Sequence, residues 1–321
     1  MATRTSPRRF SVIALSLIAV LGLIATGCGD DKVQSDPVKK ADGTETTKKE
    51  GPTIIIAQQD FPEQDVLAQV YGQALAAEGY TVEFKKLGGF RDLLFAGFAS
   101  SQVNFAPEYA ASMLEFLNKK KGEATPEITA TAAKLQTYLD PLKLTALNAA
   151  PALDRNSLVV TPNGKAKAIK KMSELTPDLR LGGFQDCPTN PFCIAGITTK
   201  YGIDLSSNFQ ALDGDGPLTV AALENGEIDV AVLTSTNGAI QRNGWVILDD
   251  DKGLFGADNV IPVVSNTLVE KYGKDMATLV NNISAKITTA ALTDMNNRFQ
   301  NDKQPAEEVA KEFLRSAGLV K

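Results

Sequence analysis

Thr53-Ile54-Ile55-Ile56-Ala57 runs through Gln58-Gln59-Asp60 into Phe61-Pro62-Glu63-Gln64, and the reading of this stretch decides the fold. Three consecutive isoleucines ahead of a polar turn predict a strand buried on both faces, as in the interior of a parallel sheet. From about Pro62 to Glu78, Val66, Leu67, Val70, Tyr71, Ala74 and Leu75 recur at helical spacing. Pro62 suits the first helical turn and Gly79 the stop. Val82, Phe84 and Leu87 alternate as a second strand, Phe90 to Phe98 is helical, and Val103-Asn104-Phe105-Ala106 is a third strand, with a helix expected to begin near Pro107-Glu108. Strands alternating with helices predict an α/β architecture.

Outward from this unit, strands are expected at Leu142–Leu147, Leu158–Thr161, Leu179–Gly183, Phe209–Leu212, Ile228–Leu233, Trp245–Leu248 and Val260–Val264, with helix over most of Asn266–Leu319. The strand-helix-strand pattern of residues 53–106 returns around 158–233, which predicts two α/β lobes joined by two hinge crossings. The expected limits are 52–156 with 258–321 for the first lobe and 157–257 for the second. Ligands of such sheets gather at the carboxyl ends of strands, beside helix N-termini with free N–H groups. Three junctions stand there: Gln58 to Gln64, Ala106-Pro107-Glu108-Tyr109, and Leu233-Thr234-Ser235-Thr236-Asn237. Each also reads as an ordinary helix cap.

The N-terminus reads as an address. Arg4, Arg8 and Arg9 precede an uncharged run from Phe10 to Thr26, followed by Gly27-Cys28. The arrangement resembles a bacterial lipoprotein signal over 1–27, with Ala25-Thr26-Gly27-Cys28 as the lipobox and Cys28 as the lipidated residue; the alternative is an uncleaved anchor, for which the run is short. Arg8-Arg9 also fits twin-arginine export. Residues 28–51, rich in Asp, Lys, Thr and Gly, are expected to be a disordered tether. The expected location is extracytoplasmic, on the outer face of the cell membrane through a lipid anchor. In an exported chain, Cys187 and Cys193 read as a disulfide; a metal site there lacks a third ligand.

The 321 residues include no histidine, which removes imidazole-based hydrolase chemistry and the commonest metal ligand. Carboxylate or lysine chemistry stays open, but no pair of acids stands in a setting that would separate their pKa values. A net charge of −5 without a basic stripe excludes a nucleic-acid footprint. No cofactor or metal is expected: Asp213-Gly214-Asp215-Gly216 and Asp249-Asp250-Asp251 lack calcium-loop spacing and read as turns with solvated acids, and Lys165–Lys171 as a solvated helix face. No P-loop is present, so any ATPase is a separate subunit.

Phe61-Pro62-Glu63-Gln64, Asn104-Phe105-Ala106-Pro107-Glu108-Tyr109, and Leu248-Asp249-Asp250-Asp251 with the later Asn259–Val264 together resemble the osmoprotectant-binding receptors of ABC importers, which take glycine betaine, choline or carnitine. The resemblance spans roughly 53–319. It implies a type II periplasmic-binding-protein fold, no enzymatic activity, a small-molecule solute, a monomer, and an ABC permease with its ATPase as partners. It places the ligand site at Gln59, Asp60, Phe61, Tyr109, Ser112, Asn156, Asp186, Asn190, Val220, Thr234 and Ser235. Where the family has a box of tyrosines around a quaternary ammonium, only Tyr109 is aromatic; Asn156, Val220 and Thr234 take the other positions and Asn190 that of the carboxylate-binding arginine. A ligand drifted toward a neutral polar compound is therefore expected. An exported enzyme on this scaffold, using Asp60, Glu63 or Asp186, and a lipid-anchored interaction protein are the alternatives.

Overall fold

The computed structural model describes residues 47–321. The signal segment, Cys28 and most of the tether lie outside the described residues. The end of the tether is fastened: Lys49 N–H donates to the Gly79 carbonyl at 2.8 Å and the Tyr272 hydroxyl to the Pro52 carbonyl at 2.6 Å.

The Ile54–Gln58 run forms strand β1, with Ile54 and Ile56 fully buried. Helix α1 (Pro62–Ala77) follows, opened by Pro62 with Glu63 and Asp65 in its first turn, where acids favour the helix dipole. Gly79, at φ +91°, ends it in a conformation few other residues tolerate. Next come β2 (Val82–Lys86), α2 (Arg91–Ala99), β3 (Phe105–Tyr109), α3 (Ala110–Leu117), α4 (Ile128–Leu139) and β4 (Leu144–Ala146). The second half holds β5 (Asn156–Val160), β6 (Leu181–Gly183), α5 (Ile194–Tyr201), β7 (Phe209–Ala211), α6 (Pro217–Glu224), β8 (Val230–Thr234), α7 (Gly238–Asn243) and β9 (Val246–Ile247). The chain ends with β10 (Val260–Ser265), α8 (Asn266–Ser284), α9 (Thr289–Asn296), a π turn over Asn297–Asn301, and α10 (Ala306–Ser316).

Two five-stranded sheets result, ordered β2-β1-β3-β10-β4 and β7-β6-β8-β5-β9. They share one design. Three parallel strands stand at one side, and a strand antiparallel to them enters from the other half of the chain: β10 beside β3, β5 beside β8. The chain thus passes between the sheets twice, after β4 and after β9. Apolar clusters cover both faces of each sheet, as buried parallel strands require.

Three sequence expectations need correction. The helix expected at Pro107-Glu108 starts at Ala110 instead, because β3 runs on to Tyr109. Pro107 is tolerated in a central strand because it lies opposite Pro262, while the bonds between β3 and β10 fall on neighbouring positions, such as Ser265 N–H to the Asn104 carbonyl and Ala110 N–H to the Asn259 carbonyl. Residues 165–171 form turns rather than a helix, since the Glu174 carboxylate takes the Lys170 and Lys171 N–H groups at 2.8 and 3.2 Å. The acidic turns are structural. Asp213 caps α6 through Leu218 and Thr219, and the buried Asp250 carboxylate accepts the Leu254 and Phe255 N–H groups and the Tyr201 hydroxyl.

The Cys187–Cys193 disulfide is present and its loop packs on α5, where a Cβ on Gly196 would run into the Pro191 carbonyl. Both sulfurs are buried in the core of the second sheet. Closing a loop of six residues restricts the unfolded chain modestly, by about 2 kcal/mol. Cys187→Ser with Cys193→Ser is expected to lower stability by about that amount in urea unfolding; an unchanged midpoint would refute it.

Candidate functional site

Beyond the carboxyl ends of β1 and β2 lies a cavity of about 480 Å³. Its walls are two amides (Gln58, Gln59), two carboxylates (Asp60, Asp65), the Lys86 ammonium, and the rings of Phe61 and Phe299 with Pro62 and Leu87. Gln58 closes β1, the β1–α1 turn supplies Gln59, Asp60 and Phe61, Asp65 stands in the first turn of α1, and Phe299 arrives from the π turn after α9. A second hollow of about 20 Å³, room for little more than a water, lies where Ala111, Ser112, Gly256 and Asp258 meet Arg155, Asn156, Phe192 and Phe255. There Asp258 accepts the Ser112 N–H at 2.7 Å and its hydroxyl at 2.5 Å, and burial raises the Asp258 carboxyl.

Beside Phe61, Tyr109 is only 5% exposed, the two ring centroids 6.1 Å apart. Its hydroxyl donates to Glu63 Oε1 at 2.5 Å. The other Glu63 oxygen accepts from Asn296 Nδ2 at 2.5 Å and lies 2.8 Å from Thr236 Oγ1, which is itself 2.6 Å from Asp154 Oδ1. A hydroxyl carries one hydrogen, so Thr236 donates to one of these carboxyls and the other must carry a proton. Burial raises Glu63, opposed by its hydrogen bonds from Tyr109, Asn296 and Thr236. Asp154 is pushed well above its ordinary range, first by burial and then by the charges of Glu63 and Asp215. Of the two acids Asp154 is the one that burial and its acidic neighbours favour in the protonated form, in which it would donate to Thr236 and Thr236 to Glu63. This knot ties α1 to the loop after β8, to the segment between the sheets and to α9. It also brings two acids, Glu63 and Asp154, onto one hydroxyl, a pairing that the sequence did not display.

The Glu108 carboxylate, fully buried, meets donors only: Gln59 Nε2 at 2.8 Å, Arg91 Nε and Nη2 at 3.1 and 2.9 Å, and the Tyr109 N–H at 3.0 Å. No cluster of three or more acids or cysteines able to hold a metal occurs among the described residues.

Against known proteins, the family model for the substrate binding domain of ABC-type glycine betaine transport systems, OpuAC, matches residues 52–316. The chain belongs to this family. As an OpuAC-family domain it is a solute-binding component of an ABC importer and not an enzyme. It is 24% identical over 285 residues to a glycine-betaine-binding protein of Pseudomonas aeruginosa, covering 84% of this chain and 89% of that one. A carnitine transport binding protein OpuCC of Listeria monocytogenes is 29% identical over 118 residues, 37% of each chain. Among solved structures, a glycine betaine/carnitine/choline ABC transporter superposes with a TM-score of 0.72 at 20% identity, over 85% of this chain and 99% of that one. Lactococcal OpuAC, closed on glycine betaine, gives 0.60 at 15% identity over 84% and 97%. These superpositions show the two-lobed type II binding-protein fold.

In this OpuAC-family domain the residues expected from sequence fall into three groups. Gln59, Asp60 and Phe61 line the large cavity, Ser112 and Asn156 line the small one, and Tyr109 lines neither but has its ring 6.1 Å from that of Phe61. The rest line neither. Asn190 donates to Asp186 at 3.0 Å, both on the disulfide loop; Val220 packs on the second-sheet core; the Thr234 N–H donates to Asp215 at 2.7 Å; and Ser235 donates to the Leu153 carbonyl at 3.1 Å. Sequence reasoning missed Phe299, Asp65, Lys86, Asp154 and Asp258. Asp65 had a signal, since it directly follows the Gln58–Gln64 junction already marked as a site, whereas Lys86 closes β2, where no site was expected. Phe299 had none.

Proposed function

We propose that this domain captures a small solute carrying a quaternary ammonium group outside the cell and presents it to the permease of its importer. The observation that carries this reading is the large cavity, where two carboxylates, Asp60 and Asp65, share the walls with two phenyl rings, Phe61 and Phe299. Aromatic faces attract a desolvated cation by about 2 kcal/mol, and carboxylates add to that attraction. Lys86 offers a partner for a zwitterion's carboxylate. The names of the relatives, which bind glycine betaine or transport carnitine, support the same class.

Ligand bound at the first sheet is taken to draw the second toward it, residues 52–156 with 258–321 moving as one lobe against 157–257; differential affinity for the closed form drives the change. The lipobox motif supports anchoring through Cys28 on the outer face of the membrane, with the domain acting as a monomer. Ligand contacts from Asp186, Asn190, Val220, Thr234 and Ser235 belong to that closed form.

A neutral polar solute is the second reading. It is favoured by Tyr109, whose hydroxyl is committed to Glu63, and by Asn156 and Thr234 standing where the resemblance implies aromatic residues. Calorimetric titration separates the two. Micromolar binding of choline, glycine betaine or carnitine, weakened roughly tenfold in Phe61→Ala, is expected. Silence from all three together with binding of a polyol or sugar would replace the first reading by the second.

A further inference from the structure

We infer that Glu108 and Arg91 are positioning residues that fix the Gln59 amide with its oxygen toward the large cavity, making the cavity selective for ligands that present positive charge or hydrogen donors. This rests on the capture reading above and gives it a determinant of specificity.

A glutamine amide has two ends of nearly the same shape and opposite hydrogen-bonding character, so its selectivity depends on which end is held. Gln59 is 3% exposed and lines the cavity at the end of β1. Its NH₂ donates to Glu108 Oε1 at 2.8 Å. The reverse orientation would set the amide oxygen against a carboxylate oxygen. Glu108 in turn cannot rotate away: Arg91 grips it through Nε at 3.1 Å and Nη2 at 2.9 Å, and the Tyr109 N–H holds Oε2 at 3.0 Å. A forked guanidinium on a carboxylate fixes orientation as well as charge. Gln59 Oε1 has no hydrogen-bond partner among the described residues, so it is the polar atom this side chain leaves for the cavity. Asp60 and Asp65 are acceptors as well. Around Gln59 the wall therefore offers acceptors to whatever enters, and a ligand carboxylate is turned away from there toward Lys86 at the end of β2.

The test is Glu108→Gln in the full chain. The new amide can keep an oxygen on Arg91 only by turning its NH₂ toward Gln59, which then flips and offers NH₂ to the cavity. With choline and glycine betaine as probes, the ratio of choline to betaine affinity is expected to fall about tenfold, because betaine carries a carboxylate able to use the new donor. A merely structural role would weaken both probes alike. Gln59→Met, which removes the amide and leaves the Glu108–Arg91 pair, is expected to weaken choline about tenfold without affecting folding. NMR of the ligand-free protein reads the orientation directly: the Gln59 side-chain NH₂ should exchange slowly in the wild type and rapidly in Glu108→Gln. An unchanged affinity ratio, or fast Gln59 exchange in the wild type, overturns the inference. Failure of both probes to bind a protein with slow Gln59 exchange overturns the ligand reading and leaves the amide assignment standing.

Discussion

Glu63→Ala is expected to lower the stability of the domain by about 3 to 5 kcal/mol, the cost typical of breaking a buried charged network by removing one partner. Glu63 is 5% exposed and takes four roles at once. It opens α1, receives the Tyr109 hydroxyl, receives the Asn296 amide and receives the Thr236 hydroxyl. Deleting it strands three buried donors, each costing about 1 to 3 kcal/mol when left without a partner. The partners come from β3, from α9 and from the loop after β8, so the loss falls on the joint between the two sheets rather than within either core. Urea unfolding should show the midpoint shift, and the melting temperature should drop by roughly 10 °C for a domain of this size. Tyr109→Phe, which removes one of the three donors together with its need for a partner, should cost far less. A loss below 1 kcal/mol in Glu63→Ala would mean that water replaces the knot and that the sheets are joined elsewhere.

The contrast between this knot and the rest of the fold shows what a sequence displays. Ile54 to Ala57 announces β1 because burial on both faces requires an unbroken apolar run, and Pro62 with Gly79 brackets α1 because one fits a first turn and the other a positive φ. These signals are local. The knot is made of acids and amides, residue types that composition assigns to the surface, and its partners stand 173 and 233 residues from Glu63. Only the return of α9 over α1 removes them from water. The same return brings Phe299 to the cavity, where the sequence reading had placed Phe61 and Tyr109 and the structure places Phe61 and Phe299. Gln59, Asp60 and Phe61 were legible because a ligand at a parallel sheet meets the first turn after β1 whatever the rest of the chain does. Glu108 was legible as a motif but not as a support, because nothing in Pro107-Glu108-Tyr109 reveals that Arg91 faces it.

The proton held between Asp154 and Glu63 predicts an alkaline weakness. Both carboxyls are raised in the folded domain, Asp154 by burial, then by Glu63 and Asp215, and Glu63 chiefly by burial. A raised acid means that the folded form binds more protons than the unfolded form above the ordinary carboxylate range, so stability falls with rising pH until the folded groups titrate. Acids nearer the surface that are held low do not oppose this trend: Glu123, held to about 2 by Tyr138 and Lys134, and Asp178, held to about 2 by Lys165, lose their contribution only in acid and are level above pH 5. The groups facing the pair are Tyr109 and Asp215, neither of which supplies positive charge to absorb a second negative one. Asp154→Asn replaces the protonated acid by a neutral amide that can still donate to Thr236, and it cannot ionise. Wild type and variant should be about equally stable near pH 5, and by pH 9 the variant should be the more stable by about 1 to 3 kcal/mol, the desolvation penalty of one unsatisfied buried group. Urea unfolding at the two pH values measures this directly. Parallel loss in both proteins would place the titrating proton outside the Asp154–Thr236–Glu63 chain. A selective loss in the wild type would identify that chain as the point where hydroxide loosens the joint between the sheets, because a second charge there repels Glu63 across Thr236 with no cation to screen it.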